Sequence, residues 1–535
     1  MTTSEQTNSN PAASTAFFGH PKGLSTLFMT EMWERFSYYG IRPLLILFMT
    51  TALMDGGFGF QRPQASAIVG IYAASVYLAS LPGGWIADKL FGLRRSIQYG
   101  AVLITLGHLC IGLSGFLPGK ITFFVGLILI VLGTGLLKPN ISAIVGDLYP
   151  EGGARRDAGF SIFYMGINTG SLLGQLVSGF LGENYGYHWG FGAAGIGMFL
   201  GLLWFTFRAQ PTLGDLGKDR TLNPDSKAQK KQETIVKVST SVVLIIIALV
   251  VVLAGAGIIT LDPEQVGKYF AYFLGAVVVL YFSYVFILGG LNGNEKKRIL
   301  VIAVLSFAAL IFWAAFEQAP TSLQLFAKDF TQRTFFGWEM PATWFQSINS
   351  LFIIILAPVF ASLWTALARN NINVSSTIKF AFGLLMAAVG FGLMIIPANF
   401  LVETGGAIKV SAAWLTISYL FQTFGELSVS PVGLSSMTKL SPRRYVGQMM
   451  GVWFLATSLG NLIAGLVGGS VDPEKLDQTP LLFKGTTIAL IIAAVILVIL
   501  AIPIARMMKD EPDTLNDIPK TEPGGSIPSP DKISE

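Results

Sequence analysis

The sequence predicts an all-α integral membrane protein with fourteen transmembrane helices. The chain of 535 residues is 52% hydrophobic but only 13% charged, whereas soluble domains average about 25% charged residues. Its mean hydropathy is +0.60. The apolar residues form runs of the length that a bilayer requires, about 20 residues of helix, and short basic loops separate these runs.

The apolar windows are arranged as six, then two, then six, with a lysine-rich stretch after the sixth. They lie near residues 24–52, 66–91, 96–117, 121–149, 158–183, 189–208, 235–261, 267–290, 299–327, 342–369, 377–398, 410–440, 446–470 and 482–508. This order predicts a cytoplasmic N-terminal tail (1–22), an N-terminal six-helix bundle (23–208), a cytoplasmic linker (209–234), an inserted helix pair (235–290), a C-terminal six-helix bundle (291–509) and a disordered cytoplasmic tail (510–535).

The loop charges support this topology. With a cytoplasmic N-terminus, the cytoplasmic loops carry roughly three times as many Lys and Arg residues as the opposite loops, as the positive-inside rule requires. The first 22 residues lack the apolar core of a signal peptide. We therefore expect a multi-pass plasma (inner) membrane protein with both termini in the cytoplasm. The net charge of +5 then reflects topology rather than nucleic-acid binding.

The first helix carries the most informative polar pattern. Its charged and phenolic residues recur at i, i+3, i+4, i+7, i+8 and i+11 and so share one helix face. They are Glu31, Glu34, Arg35, Tyr38, Tyr39 and Arg42. A charge in hydrocarbon costs roughly 3 kcal/mol or more. Four charges on one stripe therefore indicate that the helix lines a polar cavity that handles charge or protons.

Polar residues also interrupt later helices. Lys138 lies deep in the fourth helix and needs a partner or an aqueous cavity, unless it snorkels to the interface. Asn168 in the fifth helix either joins helices or binds substrate. The second half contributes two acids, an amide and an aromatic–polar pair on one helix face, namely Glu317, Glu426, Asn349, Trp453 and Thr457.

The two halves differ in charge. The N-terminal half supplies Arg35, Arg42 and Lys138 together with two acids, whereas the C-terminal half supplies acids only. A cavity between them would be basic on one wall and acidic on the other. Such a cavity suits a zwitterion, which indicates amino acids or peptides. Four aromatic residues could line its middle and accept varied side chains: Tyr38, Tyr77, Trp313 and Trp453.

Several motifs resemble a known family. The loop Gly84-Trp-Ile-Ala-Asp-Lys-Leu-Phe-Gly-Leu-Arg-Arg95 is similar to the loop between helices two and three of the major facilitator superfamily. Within that superfamily, E-x-x-E-R-F at 31–36, the run 157–168 and Phe424-Gly-Glu-Leu-Ser-Val-Ser-Pro-Val-Gly433 resemble the proton-dependent oligopeptide transporter (POT) family. The likeness covers nearly the whole chain, and the inserted helix pair resembles prokaryotic members.

The resemblance implies the major facilitator fold and proton-driven import of di- and tripeptides by alternating access. By motif position, it implies that Arg35 and Lys138 hold the peptide carboxylate. It also implies that Asn168, Asn349 and Glu426 hold the peptide amino terminus.

The resemblance further implies roles in coupling and in pocket shape. Glu31 and Glu34 would couple protons together with Arg35, and Glu317 would pair with Arg42 in one state and release it on protonation. Aromatic residues, one threonine and Glu317 itself would also belong to the peptide pocket: Tyr38, Tyr39, Tyr77, Trp313, Trp453, Thr457 and Glu317. The sequence departs from some members at Phe316, where they carry a second acid, and animal members use a histidine that the candidate site lacks.

Other functions are compatible with parts of this pattern. The scaffold could carry nitrate or an amino acid, or it could export drugs, whereas a channel would need a continuous polar path. A membrane enzyme would need a catalytic set, and His20, His108, His188 and Cys110 are scattered. We expect no cofactor beyond the proton as coupling ion, no metal, a functional monomer surrounded by lipids, and an inserted pair that faces lipid unless it forms an oligomer contact.

Overall fold

The computed structural model describes residues 17–117, 119–150, 153–220, 226–370, 372 and 374–509. The predicted C-terminal tail (510–535) and most of the predicted N-terminal tail lie outside these ranges. Fourteen long helices and one short helix form the described part of the chain. The all-α fold class is therefore confirmed.

The helices follow the predicted order of six, two and six. They are α1 (Lys22–Thr50), α2 (Arg62–Ile86), α3 (Leu93–Leu113), α4 (Ile121–Asp147), α5 (Gly153–Asn184), α6 (Tyr187–Leu213), α7 (Ser226–Gly255), α8 (Pro263–Leu288), α9 (Gly293–Phe316), the short α10 (Gln324–Asp329), α11 (Trp344–Arg369), α12 (Ser376–Glu403), α13 (Ala413–Leu440), α14 (Val446–Gly468) and α15 (Gln478–Lys509).

Four two-residue strands lie in the loops of the second half. β1 (Thr331–Gln332) pairs in parallel with β4 (Val410–Ser411), and β2 (Thr334–Phe335) pairs antiparallel with β3 (Trp338–Glu339). The β1–β4 pair ties the loop before α11 to the loop before α13, whereas β2 and β3 both lie in the loop before α11. They leave the helical architecture unchanged.

Eleven helical segments among the described residues are long and apolar enough to cross a membrane. The three long helices outside that set are α1, α5 and α13. They carry, respectively, the charged stripe from Glu31 to Arg42, Asn168 and Glu426. Polar residues, some of them predicted functional residues, therefore keep these three helices outside the apolar set, while other predicted site residues lie on helices within it.

Two boundaries differ from the sequence prediction. The predicted helix over 299–327 is broken, because α9 ends at Phe316 and a π-type turn over Ala319–Leu323 separates it from α10. Pro320 in this turn has no N–H to continue a helical hydrogen-bond ladder. The predicted linker 209–234 is partly helical, since α6 runs to Leu213 and α7 begins at Ser226.

The helices pack as two bundles that meet along two seams. In the first bundle α1 packs on α5 and α6, and α3 on α4; in the second, α12 packs on α13 and α15, and α9 on α14. The seams join α2 to α14 and α5 to α11. At the first seam a Cβ on Gly70 would lie 2.7 Å from the Cα atom of Gly465, so only glycine permits this backbone approach.

The inserted pair α7–α8 lies outside both bundles. The most apolar part of α7 has no buried residue, and little of α8 is buried. α8 contacts α2 and α14, one helix from each bundle. The large apolar side chains on the outside of the pair, such as Ile245, Val252 and Leu280, form the kind of surface that lipid covers in a membrane protein.

Candidate functional site

A cavity of about 320 Å³ lies between the two bundles. Helices α1, α2, α4 and α5 supply one wall, and α9, α11, α13 and α14 supply the other. All predicted site residues except Glu34 and Tyr38 line it. They are Glu31, Arg35, Tyr39, Arg42, Tyr77, Lys138, Asn168, Trp313, Glu317, Asn349, Glu426, Trp453 and Thr457.

On the first wall, α1 holds an ion-pair cluster. The Nε atom of Arg35 lies 2.8 Å from Glu31 Oε1 and 2.7 Å from Glu34 Oε2, and all three residues are buried. The hydroxyl of Thr134 on α4 donates to Glu34 at 3.5 Å. Glu34 therefore points toward α4 and not into the cavity. Arg35 Nη2 and Glu31 Oε2 are buried with no hydrogen-bond partner among the described residues, so both have unused hydrogen-bonding capacity.

Lys138 is a cation without a carboxylate partner. Its ammonium lies over the ring of Tyr77, 4.2 Å from the ring centroid, and it makes no ion pair with a described residue. A cation–π contact compensates desolvation only in part, by about 0.5–2 kcal/mol. Lys138 therefore retains the capacity to bind an anion in the cavity.

The opposite wall carries an acid and amides. Asn349 on α11 donates through Nδ2 to Glu426 Oε2 at 3.2 Å and to Thr423 Oγ1 at 3.0 Å. Across the cavity Asn168 donates to the carbonyl of Tyr164 at 3.0 Å. These hydrogen bonds orient the Glu426 carboxylate and hold Asn168 in place on the lining. This wall can accept hydrogen bonds from a cation.

Arg42 and Glu317 form a direct ion pair between the bundles. Both are buried, and they lie 275 residues apart in the chain. Tyr38 lies between the two arginines of α1, with its ring centroid 5.4 Å from the Arg42 Cζ atom and 5.5 Å from that of Arg35. The ring of Tyr38 thus contacts guanidinium groups. The sequence predicted that Tyr38 lines the cavity, but it does not, because the charged face of α1 is wider than the part of the helix that faces the cavity.

Sequence reasoning missed several neutral lining residues. They include Ser142, Tyr164, Ser171, Gln175, Gln346, Tyr419 and Ser430. Gln175 follows Asn168 by seven residues on α5, a spacing that keeps both on one helix face. Its Oε1 atom is buried without a partner in the described part of the chain. The seven-residue spacing from Asn168 could have identified Gln175 as a lining residue. A single serine in an apolar helix shows no pattern that would identify it in the same way.

We call the membrane side where α1 begins the near side and the opposite side the far side. On the far side, Arg62 of α2 donates to Asp329 at 2.6 Å and to the carbonyl of Val471 at 2.9 Å. Deeper along this seam, Ser66 donates to the carbonyl of Gly465 at 2.6 Å. The far side is therefore closed along the α2–α14 seam.

At the far-side end of the second seam lies a buried carboxylate. Glu183 of α5 accepts hydrogen bonds from the backbone N–H and the hydroxyl of Thr343 at 2.8 and 2.9 Å. It also lies 3.5 Å from the Lys328 ammonium and 3.9 Å from the Arg333 guanidinium. By contrast, the cavity lining extends toward the near side through Ser142 and Leu434. The structure thus has its far side closed and its cavity directed to the near side.

Replacement of Glu183 by alanine is expected to lower the free energy of unfolding by about 2 kcal/mol. The loss leaves buried donors of Thr343 unpaired, at about 1–3 kcal/mol for such groups. Arg333 keeps a second partner, because Glu339 lies 2.7 Å from it. Thermal unfolding of the purified variant measures the effect. Asp55→Ala, at an exposed far-side acid, is the matched control and should stay within about 0.5 kcal/mol of the wild type. Equal stability of both variants would contradict the role of Glu183.

The comparisons with known proteins decide the family. The model of the POT family matches residues 94–480. This chain belongs to the POT family. The family is one of membrane transporters, so the predicted class of transporter rather than enzyme is confirmed.

Individual POT relatives match over almost their whole length. The peptide transporter YePEPT of Yersinia enterocolitica is 50% identical, over 94% of this chain and 98% of the relative. A di-/tripeptide transporter of Lactococcus lactis is 38% identical, over 92% of this chain and 98% of its own. A crystal structure of a peptide transporter POT in complex with sulfate has 40% identity and a TM-score of 0.83, and covers 92% of this chain and 97% of that one.

Proposed function

We propose that this POT-family protein imports di- and tripeptides together with protons. The cavity carries the proposal, because it has cations on one wall and a carboxylate with amides on the other. A peptide zwitterion presents the complementary pair of charges. The relatives named as peptide and di-/tripeptide transporters support the same cargo.

The peptide carboxylate would bind to Arg35 and Lys138. In the described part of the chain, Arg35 Nη2 is buried with no hydrogen-bond partner, and the Lys138 ammonium contacts the Tyr77 ring but no carboxylate. Charge-assisted hydrogen bonds are roughly twice as strong as neutral ones. The carboxylate would also compete with Glu31 and Glu34 for the Arg35 guanidinium, which links peptide binding to those two acids.

The peptide amino terminus would bind to Glu426, Asn349 and Asn168. The Glu426 carboxylate is already oriented by Asn349, so an ammonium meets a fixed acceptor. Aromatic side chains between the two ends would contact peptide side chains without hydrogen-bond selection: Tyr39, Tyr77, Trp313 and Trp453. Recognition of the two termini therefore predicts weak discrimination among dipeptide side chains.

Proton coupling would act through the Arg42–Glu317 pair and the cluster around Arg35. Protonation neutralises Glu317 and removes its attraction for Arg42, which is one of the contacts between the bundles. The far side could then open while the bundles rock about the central site. Coupling requires only that proton and peptide each prefer one of the two states.

We also propose the location of the protein, its oligomeric state and the role of the inserted helix pair. The near side would face the cytoplasm of a cell with the protein in its plasma (inner) membrane, in agreement with the basic near-side loops. The protein would work as a monomer without a cofactor, with the proton as the coupling ion. The α7–α8 pair would face lipid and take no part in transport.

Blocking either peptide terminus is expected to weaken binding at least tenfold. A C-terminal amide cannot pair with Arg35 and Lys138 as a carboxylate does, and an N-acetyl group removes the ammonium. A charge-assisted hydrogen bond contributes about 1.5–3 kcal/mol, which corresponds to roughly 10–150-fold. Competition of the free, amidated and N-acetylated forms of one dipeptide against a labelled dipeptide measures the loss. An amide that competes as well as the free acid would refute the carboxylate site.

A further inference from the structure

A second cavity lies at the near-side end of the first bundle. Its volume is about 570 Å³. The turn between α2 and α3, the end of α6 and the segment after α6 enclose it. Nothing in the proposed peptide path uses it. Its lining combines basic side chains with apolar ones.

The backbone fixes the walls of this cavity. A Cβ on Gly92, which has a φ of +79°, would lie 2.5 Å from the carbonyl oxygen of Lys218. Arg94 donates its backbone N–H to the carbonyl of Gly217 at 2.9 Å and its Nη1 to that of Gly214 at 2.5 Å. The segment after α6 is thus clasped onto the first turn of α3. The basic side chains of both segments are held around one space.

Four cations line the cavity, and two of them, Arg94 and Arg95, form no salt bridge with a described residue. Lys218 pairs with Asp215 at 2.6 Å, and Arg220 pairs with Glu233 at 3.2 Å. The hydrogen bond from Lys218 holds the pKa of Asp215 below its usual range, so this pair stays ionised at neutral pH. Among the described residues, Arg94 donates to a carbonyl and an amide oxygen, and the Asp215 carboxylate acts on it electrostatically at longer range.

Arg95 is the most available of these cations. It is exposed and makes no ion pair or hydrogen bond with a described residue. Beside it, Asp219 is the carboxylate on the lining, and it partly offsets the positive potential. A guanidinium offers a planar set of donors that matches phosphate oxygens.

Part of the remaining lining is apolar. It consists of Phe91, Phe205 and Ala209, of which Phe205 and Ala209 are buried, and the polar Gln98 and Thr206 also line the cavity. A ligand with an anionic head and a hydrocarbon part would satisfy both parts of the lining. Basic pockets at the cytoplasmic ends of transmembrane helices are suited to phosphate head groups.

We propose that this cavity binds a phosphate-bearing anion through Arg95 and Arg94. The apolar part of the lining favours the headgroup of an anionic phospholipid over free phosphate. The ligand binds at the junction between the first bundle and the connection to α7, outside the peptide cavity. The proposal is independent of the peptide as cargo.

Native mass spectrometry of the full-length protein with phosphatidylglycerol tests it, with phosphatidylcholine as the neutral lipid. We expect one tightly bound phosphatidylglycerol, with affinity that falls about tenfold in Arg95→Gln, since one charge-assisted contact is lost. Asp219→Asn should instead raise the affinity about threefold, because a repelling charge is removed. A misfolded variant could not bind more tightly, so these opposite shifts exclude loss of fold.

Arg443→Gln is the matched control. Arg443 is an exposed arginine in the turn before α14, outside the cavity. The affinity of the Arg443→Gln protein for phosphatidylglycerol should equal that of the wild type.

Competition by inorganic phosphate distinguishes a lipid headgroup from free phosphate as the natural ligand. If inorganic phosphate displaces phosphatidylglycerol only at a far higher concentration than that of the lipid, the ligand is a lipid headgroup. If phosphate displaces the lipid at an equal concentration, the ligand of the same site is free phosphate. If Arg95→Gln and Asp219→Asn both bind like Arg443→Gln, the proposed site is wrong.

Discussion

Glu317→Gln is expected to abolish proton-driven accumulation of a dipeptide while peptide exchange continues. Glutamine keeps the size and one hydrogen-bond acceptor for Arg42, but it cannot take up a proton. The Arg42–Glu317 contact between the bundles would therefore lose its response to the proton gradient. In proteoliposomes we expect the ratio of internal to external peptide to fall to about 1, since an uncoupled carrier only equilibrates its ligand.

Two further measurements sharpen this prediction. Counterflow of labelled peptide into vesicles loaded with unlabelled peptide should persist in Glu317→Gln, because the residues proposed to bind the two peptide termini are unchanged. Glu403→Gln, at an exposed acid near the end of α12, should accumulate peptide like the wild type. Full accumulation by Glu317→Gln would remove Glu317 from the coupling mechanism.

Lys138→Gln and Glu426→Gln are expected to impair recognition of opposite peptide termini. Among the described residues, Lys138 contacts the Tyr77 ring and forms no salt bridge. Its removal leaves Glu31 and Glu34 paired with Arg35. We expect its KM for a dipeptide to rise about 30-fold, or about 2 kcal/mol, the contribution of a hydrogen bond to a charged group. The preference for a free acid over a C-terminal amide should nearly vanish, while the penalty for N-acetylation persists.

Glu426→Gln serves as the reciprocal control. It should keep the preference for a free carboxylate and lose most of the penalty for N-acetylation, because Asn349 would then hold a neutral amide at this position. Competition of the three peptide forms in each variant measures both preferences. Loss of both preferences to the same degree in both variants would contradict separate sites for the two termini.

The sequence predicted the helices well because each apolar run has the length of a membrane crossing. It failed where a helix breaks inside such a run. The π-type turn after Phe316 contains Pro320 but lies within apolar sequence, so hydropathy alone does not reveal it. The start of α7 was placed too late because its first turns are lysine-rich, and a polar helix end looks like a loop.

The site could be predicted in part for a related reason. Charges inside apolar segments are costly and therefore conspicuous, and Lys138, Glu317 and Glu426 all lie on the cavity lining. Helical periodicity also placed Tyr38 on the cavity lining, but its ring lies between two arginines. Periodicity shows which residues share a helix face, but it does not show how much of that face borders the cavity. The role of Glu183 was missed, because an acid at the end of a helix is normally expected to be exposed to water.

The pairing of Arg42 with Glu317 illustrates a different limit. The two residues are 275 positions apart, and no local pattern connects them. Only the family resemblance suggested the pair. The same holds for the closure of the far side by Arg62, Asp329 and Glu183, which depends on how two bundles meet and not on the sequence of either one.

Uptake of a radiolabelled dipeptide into proteoliposomes, with and without an inward proton gradient, tests the central proposal most directly. We predict accumulation above the external concentration that collapses with a protonophore. Other di- and tripeptides should inhibit it, and free amino acids should not. Uptake that is indifferent to the gradient, or absent in correctly inserted protein, would contradict proton-coupled peptide import while leaving the fold and the family unchanged.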